Sequence, residues 1–376
     1  MSESDRNRVA ELLAEADGLQ HGTSRVAVAE EAVRQADALG DEGLQYDARM
    51  ELLSATIFGG YPDKALVAFS WLAGTCDRNP ERFPESDNLL GMFLRRVDLL
   101  WAYKWIVQNT HCFSQISREQ IERTLDDMEG RYRKNGYSMR PVWMNRTRIA
   151  MAMDAGPERA DDSFARWQAA ARDLYADCAA CEQHFQVDYH LYRRDLDAAN
   201  TAAEPLLAGE LACAEVPHMT YVRLVVPTWL AGDSERAWTY HRRGYELCRD
   251  NRDFLEELAE LVEHLLLAED PAAAVTMLER HGSWIVDSRV GSRRLRWFVV
   301  LGALFEQLDV ASVTLRLPAA LGPHAGPDYD PRELAAWFDR EAASLTEAFD
   351  RRNGNDLVSR EAAAIRDRLS ARVPPT

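Results

Sequence analysis

The chain of 376 residues has a net charge of −17, with 47% hydrophobic and 28% charged residues. This composition is ordinary for a soluble folded protein, and the acidic excess argues against binding phosphate backbones or anionic membranes. No apolar run approaches the roughly 20 residues of a membrane helix, and the N-terminus has no basic start followed by an apolar core, as a signal peptide would. We therefore expect a cytoplasmic protein that binds neither nucleic acid nor membrane. Its oligomeric state is left open.

Apolar residues recur at i, i+3, i+4 and i+7 along much of the chain, for example in ALVAFSWLAG, IERTLDDMEGRY and FLEELAELVEHLLLAED. This period is typical of amphipathic helices. Alternating, strand-like runs are scarce. The sequence therefore predicts an all-α protein.

The helices repeat with a period near 38 residues. Several open after a short polar turn, with a small or apolar residue four positions after the turn residue. These positions are Ala65, Ile121, Ala160, Ala199, Ala237, Ala274 and Val313. Two helices of about 15 residues and two short turns account for such a period. We expect helix pairs that stack into a solenoid, with the small residue where helix B opens close against helix A.

The segment LAGDSERAWTYHRRGYEL carries the clearest signature, with Gly232, Asp233 and Ala237 in its turn and first helical turn. It resembles the tetratricopeptide-repeat family, which places Gly-Asp before helix B and Ala four residues after that Asp. The resemblance covers roughly residues 25–320, with long and degenerate repeats, and extends to actinobacterial proteins of this type of unassigned role. It implies a right-handed α-α superhelix (a TPR-like solenoid) whose A helices line the concave face.

Two regions follow from this reading. Residues 1–320 form the repeat array, with an irregular insertion near 77–115, and residues 321–376 form a C-terminal loop and capping helices. The Gly- and Pro-rich stretch at 317–334 predicts a loop. Helices at about Pro331–Phe349 and Val358–Ala371 are expected to cover the open end of the array.

The stretch DCAACEQH suggests a metal site, with Asp177 as the expected N-cap of the helix that follows. Cys178 and Cys181 share one face of its first turn. One period later the chain reads CAEVPH, with Cys213 and His218. Adjacent A helices pack side by side, so these four groups predict a structural Cys₃His zinc site that clamps two repeats. His184 and Glu182 are alternative ligands. The competing interpretation is that the cysteines are small core residues.

Asn145, Arg146 and Arg223 are the candidate ligand-binding residues, because Asn and Arg on A helices can hold a peptide backbone or a carboxylate. An ion-paired or solvated helix face is the alternative. Two further segments stay open. Trp101 and Trp105 are either core or a ligand cleft, and the arginines of 289–296 are either a solvated helix start or an anion site.

The favoured function is a protein- or peptide-binding scaffold braced by zinc, rather than an enzyme. The first alternative is a metal-dependent enzyme, or a pathway-specific catalyst, built on a solenoid, since three protein ligands would leave a fourth position for water. The second is an interaction module that controls a regulator. The sequence has no Gly-rich phosphate loop, HExxH or nucleophile elbow.

Overall fold

The computed structural model describes residues 3–86 and 97–371, so part of the predicted insertion, 87–96, lies outside the described residues. The described chain is an all-α solenoid. Its helices are α1 (Glu3–Gly18), α2 (Thr23–Leu39), α3 (Glu42–Phe58), α4 (Pro62–Arg78), α5 (Leu99–Thr110), α6 (Arg118–Lys134), α7 (Arg140–Met153), α8 (Glu158–Ala169), α9 (Ala179–Tyr192), α10 (Leu196–Leu207), α11 (His218–Leu230), α12 (Ser234–Cys248), α13 (Leu255–Leu267), α14 (Pro271–Asp287), α15 (Gly291–Glu306), α16 (Pro331–Asn353) and α17 (Leu357–Ser370). Among them, none has both the length and the low polarity that crossing a bilayer requires.

The helices pack as consecutive antiparallel pairs, and the odd-numbered helices from α1 to α15 also contact one another in sequence, α7 and α9 through Arg140 and Glu182. The odd-numbered helices are therefore the A helices of the array, and the even-numbered helices are the B helices. Each pair buries its apolar faces against its own partner and against the next pair, and the described core is divided into clusters, the two largest within residues 50–175 and 222–369.

Six of the seven predicted small positions open a B helix and are fully buried. They are Ala65 in α4, Ile121 in α6, Ala160 in α8, Ala199 in α10, Ala237 in α12 and Ala274 in α14. In the turns before α10, α12 and α14, an aspartate accepts a hydrogen bond from the amide three residues later. This satisfies one unpaired donor of the helix start, so the Asp and the small residue serve the same turn.

The seventh position, Val313, is different. It lies in β1 (Val313–Thr314), which pairs antiparallel with β2 (Asp328–Tyr329) across the Gly- and Pro-rich stretch. The β-branched pair Val313–Thr314 and the following Pro318 disfavour a helix here. Helix α16 takes the place of the missing B helix and packs along α15.

The predicted C-terminal helices correspond to α16 and α17. Helix α17 packs against α13, α15 and α16. Its Arg368 donates to Glu263 of α13 at 2.5 Å, and Glu263 also accepts from Arg296 of α15 at 2.6 Å. The face of α13 that carries Glu263 also carries Glu256 and points inward. Helix α17 thus covers the concave side of the last two repeats, and any ligand on that face is limited to the space that remains.

The array curves until its early turns touch its late ones. In the turn between α3 and α4, the carbonyl of Phe58 accepts from Asn251 Nδ2 at 3.2 Å, and the hydroxyl of Tyr61 accepts from Arg252 at 2.6 Å. Gly60 has φ +80°, and a Cβ there would lie 2.8 Å from Cγ of Arg252. Glycine is required at this position by both the backbone conformation and the closeness of the contact.

A second set of contacts joins the connection after α5 to the C-terminal part. The amide of Ser292 donates to the Cys112 carbonyl at 3.2 Å. Arg352, at the end of α16, donates to three backbone carbonyls of this connection. The acceptors are His111 at 2.9 Å, Phe113 at 3.1 Å and Ile116 at 3.4 Å. The contacts of Arg352 span more than half of the chain, and together these contacts convert the concave face from an open groove into a partly enclosed cavity.

Replacing Arg352 by Met tests this closure. Hydrogen bonds from a charged donor contribute about 1.5–3 kcal/mol each, and three buried carbonyls would lose theirs. We expect the free energy of unfolding, measured by urea denaturation, to fall by at least about 2 kcal/mol. Arg351→Met is the matched control, because Arg351 is exposed and, among the described residues, pairs only with Glu347 on its own helix. Equal losses in the two variants would mean that the contact does not hold the array closed.

Candidate functional site: the central cavity and a three-thiol group

The partly enclosed cavity has a volume of about 510 Å³. Its wall is formed by α5, α7, α9 and α11 together with the first residues of α13 and α15. This volume is in the range of small-ligand pockets, which are typically a few hundred to a thousand Å³. A folded protein surface cannot enter such a space, whereas a side chain, a short peptide segment or a small molecule can.

The wall is unusually rich in charge for an interior surface. Six carboxyl groups line it, from Asp177, Asp188, Glu215, Asp253, Glu256 and Glu257. Three arginines line it as well, Arg148, Arg223 and Arg293. Burial lowers the pKa of His111 to about 4 and also lowers the pKa of His184, so both imidazoles are uncharged at neutral pH.

Most of these charges have a partner. Arg293 donates to Asp253 at 2.7 Å, and Arg148 donates to Gln108. Arg223 is hydrogen-bonded to Glu260, and its guanidinium lies 3.7 Å from the Asp188 carboxylate and 3.9 Å from that of Glu256. Outside the cavity wall, Lys104 pairs with Asp177 at 2.8 Å. Buried charges require such partners, because desolvation of an unpaired ion is costly.

Glu215 shares a hydrogen bond with Asp253, and Glu257 is the wall carboxyl group that has no such partner among the described residues. Its side chain is in the cavity wall and the residue is only 5% exposed, yet no described residue forms a hydrogen bond or ion pair with its carboxyl group. Burial raises the pKa of Glu257 to about 8. The neighbouring Glu256 and Glu260 carboxylates add to this shift, and Arg223 and Arg293 oppose it. A carboxyl group in this condition holds its proton at neutral pH unless a positive charge enters the cavity.

Three of the wall carboxyl groups recur at the period of the repeat. Asp177, Glu215 and Asp253 are each 38 residues apart, and each stands just before an A helix. Stacked repeats bring these positions together at one end of the cavity. Burial, with Asp253 nearby, raises the pKa of Glu215 to about 8. The sequence analysis did not identify this series of three carboxyl groups, although the repeat period near 38 residues is sufficient to predict it.

The three predicted thiols come together at the boundary between two repeats. The sulfurs of Cys178, Cys181 and Cys213 all lie within 4.8 Å of one another, and those of Cys181 and Cys213 are 3.5 Å apart. Cys178 is exposed and the other two are half-buried. Cys181 is also part of the cavity wall. The group could hold a metal ion with three sulfur ligands.

Cys178 itself is the N-cap of α9, with its sulfur accepting from the Cys181 amide at 3.4 Å. Asp177, the expected cap, pairs with Lys104 instead. The pKa of Cys178 is lowered because the Cys181 and Cys213 thiols, and then backbone amides of the helix start, donate to its sulfur. A thiolate at a helix start is the form that binds metal.

The predicted fourth ligand is not in place. His218 opens α11, and its ring stacks on Phe254 with centroids 5.3 Å apart, so it does not belong to the group of thiols. The alternatives are engaged as well. His184 Nδ1 is 3.0 Å from the Thr220 hydroxyl. Glu182 binds the guanidinium groups of Arg140 and Arg172.

The three predicted ligand-binding residues lie in different environments. Arg223 lines the cavity. Asn145 is 2% exposed and donates to the Pro141 carbonyl of its own helix at 3.0 Å. Arg146 binds Asp126 at 2.8 Å and Glu129 at 2.7 Å on the neighbouring α6. Trp105 and Arg293, from the two segments that the sequence left open, are in the cavity wall.

No protein-family model matches the chain, and no curated protein matches its sequence significantly. The resemblance to tetratricopeptide repeats therefore stays a prediction from the motif in the turn before α12. The structure supports the coarser statement that the chain is an all-α helical-repeat protein.

The raised pKa of Glu257 predicts a pH dependence of stability. The unfolded chain ionises this group near 4.5 and the folded protein near 8, so the folded state binds more protons between these values. The free energy of unfolding should therefore fall as pH rises from 5 to 8, with Glu257 contributing up to about 1.4 kcal/mol per pH unit. Glu257→Gln should remove this contribution and be more stable than wild type at pH 9.

Urea denaturation at pH 5, 7 and 9 measures the effect. Glu204→Gln is the matched control, since Glu204 is an exposed glutamate of α10 outside the cavity. Parallel pH profiles for wild type and Glu257→Gln would contradict the assignment.

Proposed function

We propose that this protein is a helical-repeat binding protein that takes a peptide segment of a partner into the central cavity. The observation that carries the proposal is the cavity itself, which is enclosed by six A helices and lined by charged groups that could face a ligand. Building a solenoid does not require such groups, because an apolar interior would be more stable than buried carboxyl groups. Their retention is expected where they contact something that enters.

The closure of the array defines what fits. Helix α17 covers the concave side of the last repeats, and the 58–61 turn lies against 251–253. A long extended peptide along the whole concave face is therefore disfavoured. A short segment, or the end of a chain, suits a cavity of about 510 Å³.

A cavity-filling variant tests the proposal. Met151 lines the cavity, is half-buried, and lies outside the buried hydrophobic clusters of the described residues. Random peptides displayed on phage would be selected on the wild-type protein and then measured on Met151→Trp. We expect the affinity of the selected peptides to fall at least tenfold, because the indole occupies their space.

Val67→Trp is the control for added surface, since Val67 is 74% exposed on α4. It should leave binding unchanged. If no peptide is enriched, or if the enriched peptides bind Met151→Trp as tightly as wild type, the proposed function is wrong.

We further propose that zinc binds to Cys178, Cys181 and Cys213 and braces the repeat of α9 and α10 against α11. Tetrahedral Zn²⁺ holds thiolate sulfurs at about 2.3 Å, which needs sulfurs less than about 4 Å apart. The Cys181–Cys213 distance of 3.5 Å supports this. The pKa of Cys178 is lowered, whereas hydrogen bonding to Cys178 raises the pKa values of Cys181 and Cys213, so zinc would have to displace the protons of these two thiols. With His218 turned to Phe254, the fourth ligand would be water or a group from a partner.

Purified protein should then carry about one zinc per chain by elemental analysis, and its thermal midpoint should rise when zinc is restored after chelation. Cys181→Ser should lose both effects. Cys248→Ala, which changes a buried cysteine that is not part of the group, should retain the metal. Retention of zinc by Cys181→Ser would contradict the assignment.

A metal-dependent enzyme is the second candidate, and one observation favours it. Cys181 belongs both to the thiol group and to the cavity wall, so a metal there could meet a ligand in the cavity. The same zinc-loaded samples decide between the candidates. Turnover of ester or peptide substrates that requires Cys181 would favour the enzyme over the scaffold.

A further inference from the structure

The charges in the cavity wall do not balance. Six carboxyl groups face three arginines, and neither histidine in the wall is charged at neutral pH. The pairs inside the protein use most of this charge. Lys104 neutralises Asp177, Arg293 pairs with Asp253, and Arg223 is shared by three acidic residues, Glu260, Asp188 and Glu256. The third wall arginine, Arg148, donates to the neutral amide of Gln108, so the six carboxyl groups outnumber the three arginines of the wall.

Glu257 is the wall carboxyl group that remains without a partner among the described residues. It is 95% buried, it lines the cavity, and no described residue forms a hydrogen bond or ion pair with its carboxyl group. A carboxylate that is buried without a partner lacks the hydration that stabilises its charge in water. Its surroundings inside the protein do not replace that hydration, so a positive charge from outside is the natural complement.

Three aromatic side chains line the same cavity, those of Trp105, Tyr192 and Phe254. Ammonium and guanidinium groups are attracted to the faces of aromatic rings, and this attraction grows when water is excluded. Together, the unpartnered carboxyl group and the rings describe a pocket for an organic cation.

We propose that the group bound in the cavity is an organic cation, an ammonium or guanidinium group, that pairs with the carboxylate of Glu257. This inference rests on the proposed function, since it names the chemistry of the segment that the cavity takes. The same chemistry could come from a lysine or arginine of a peptide or from a free amine. The experiment below separates these two sources.

The titration of Glu257 supports the same reading. Burial raises the pKa of its carboxyl group to about 8. The charged or titratable groups that act on it are Glu256 and Glu260 of its own helix, Arg223 of α11, Glu215 before α11, Cys248 of α12 and Arg293 of α15. Binding of a cation should drive the proton off, so uptake of ligand at pH 7 should release protons.

Isothermal titration calorimetry on the full chain tests the proposal with three peptides and one amine. The peptides are acetylated and amidated five-residue sequences that differ only at the central residue, which is Arg, Gln or Glu, and the amine is spermidine. We expect the Arg peptide to bind at least tenfold more tightly than the Gln peptide, and the Glu peptide not to bind. Tight binding of spermidine alone would identify a free amine as the source of the cation.

Glu257→Gln should weaken binding of the cationic ligand about tenfold or more, as loss of a buried charge partner does. Glu204→Gln should leave it unchanged. The heat of binding at pH 7 should depend on the ionisation enthalpy of the buffer in wild type and lose that dependence in Glu257→Gln. A merely structural role of Glu257 would not produce this signature.

Preference for the Gln or Glu peptide would overturn the inference and leave the proposed function standing. Absence of binding by the Arg peptide and by spermidine would overturn it as well. The phage selection on wild type, with the selected peptides measured on Met151→Trp, tests the proposed function independently, because that selection makes no assumption about charge.

Discussion

The contact between the 58–61 turn and residues 251–253 is the constraint on which the rest of the structure depends. It joins positions almost 200 residues apart, and it requires a glycine, since a Cβ on Gly60 would collide with Arg252. Once these turns meet, the curvature of the array is set. The concave faces of the A helices then enclose a cavity rather than an open groove.

Enclosure changes the physics of every charge on the concave face. In an open groove, the carboxylates of α9 to α13 would be hydrated and largely independent. Inside the cavity they interact through a medium of lower dielectric constant, and the cost of desolvation dominates. This explains why Arg223 gathers three acidic partners. It also explains why the ionisation of Glu257, which pairs with none of the described residues, depends on what enters the cavity.

The thiol group follows a different rule, because it depends on helix starts and not on the enclosure. Cys178 and Cys181 share the first turn of α9, and Cys213 lies in the connection that leads to α11. Two adjacent repeats bring these segments together as a direct result of stacking. The ring of His218 belongs to the following contact, against Phe254, so its closeness in sequence to Cys213 did not bring it to the sulfurs.

The sequence by itself determined the class of fold, the period and the turns. Apolar spacing indicated the helices, the Asp and the small residue marked the starts of the B helices, and the period placed Cys213 beside Cys181. These features are local or repeat from one pair to the next, so neighbouring residues are sufficient to predict them. The prediction that Val313 opens a B helix was wrong, because β-branched residues and a proline end the helical pattern there.

Only the tertiary structure decided which side of each helix meets a ligand. Arg146 and Arg223 stand on A helices and look equivalent in sequence, yet one binds the acids of α6 and the other faces the cavity. The difference arises from the curvature of the whole array and from α17, which depend on contacts between residues far apart in the chain. The period of a solenoid can be predicted from local sequence. Its closure results from many small rotations between successive repeats, so it cannot be predicted from any single segment.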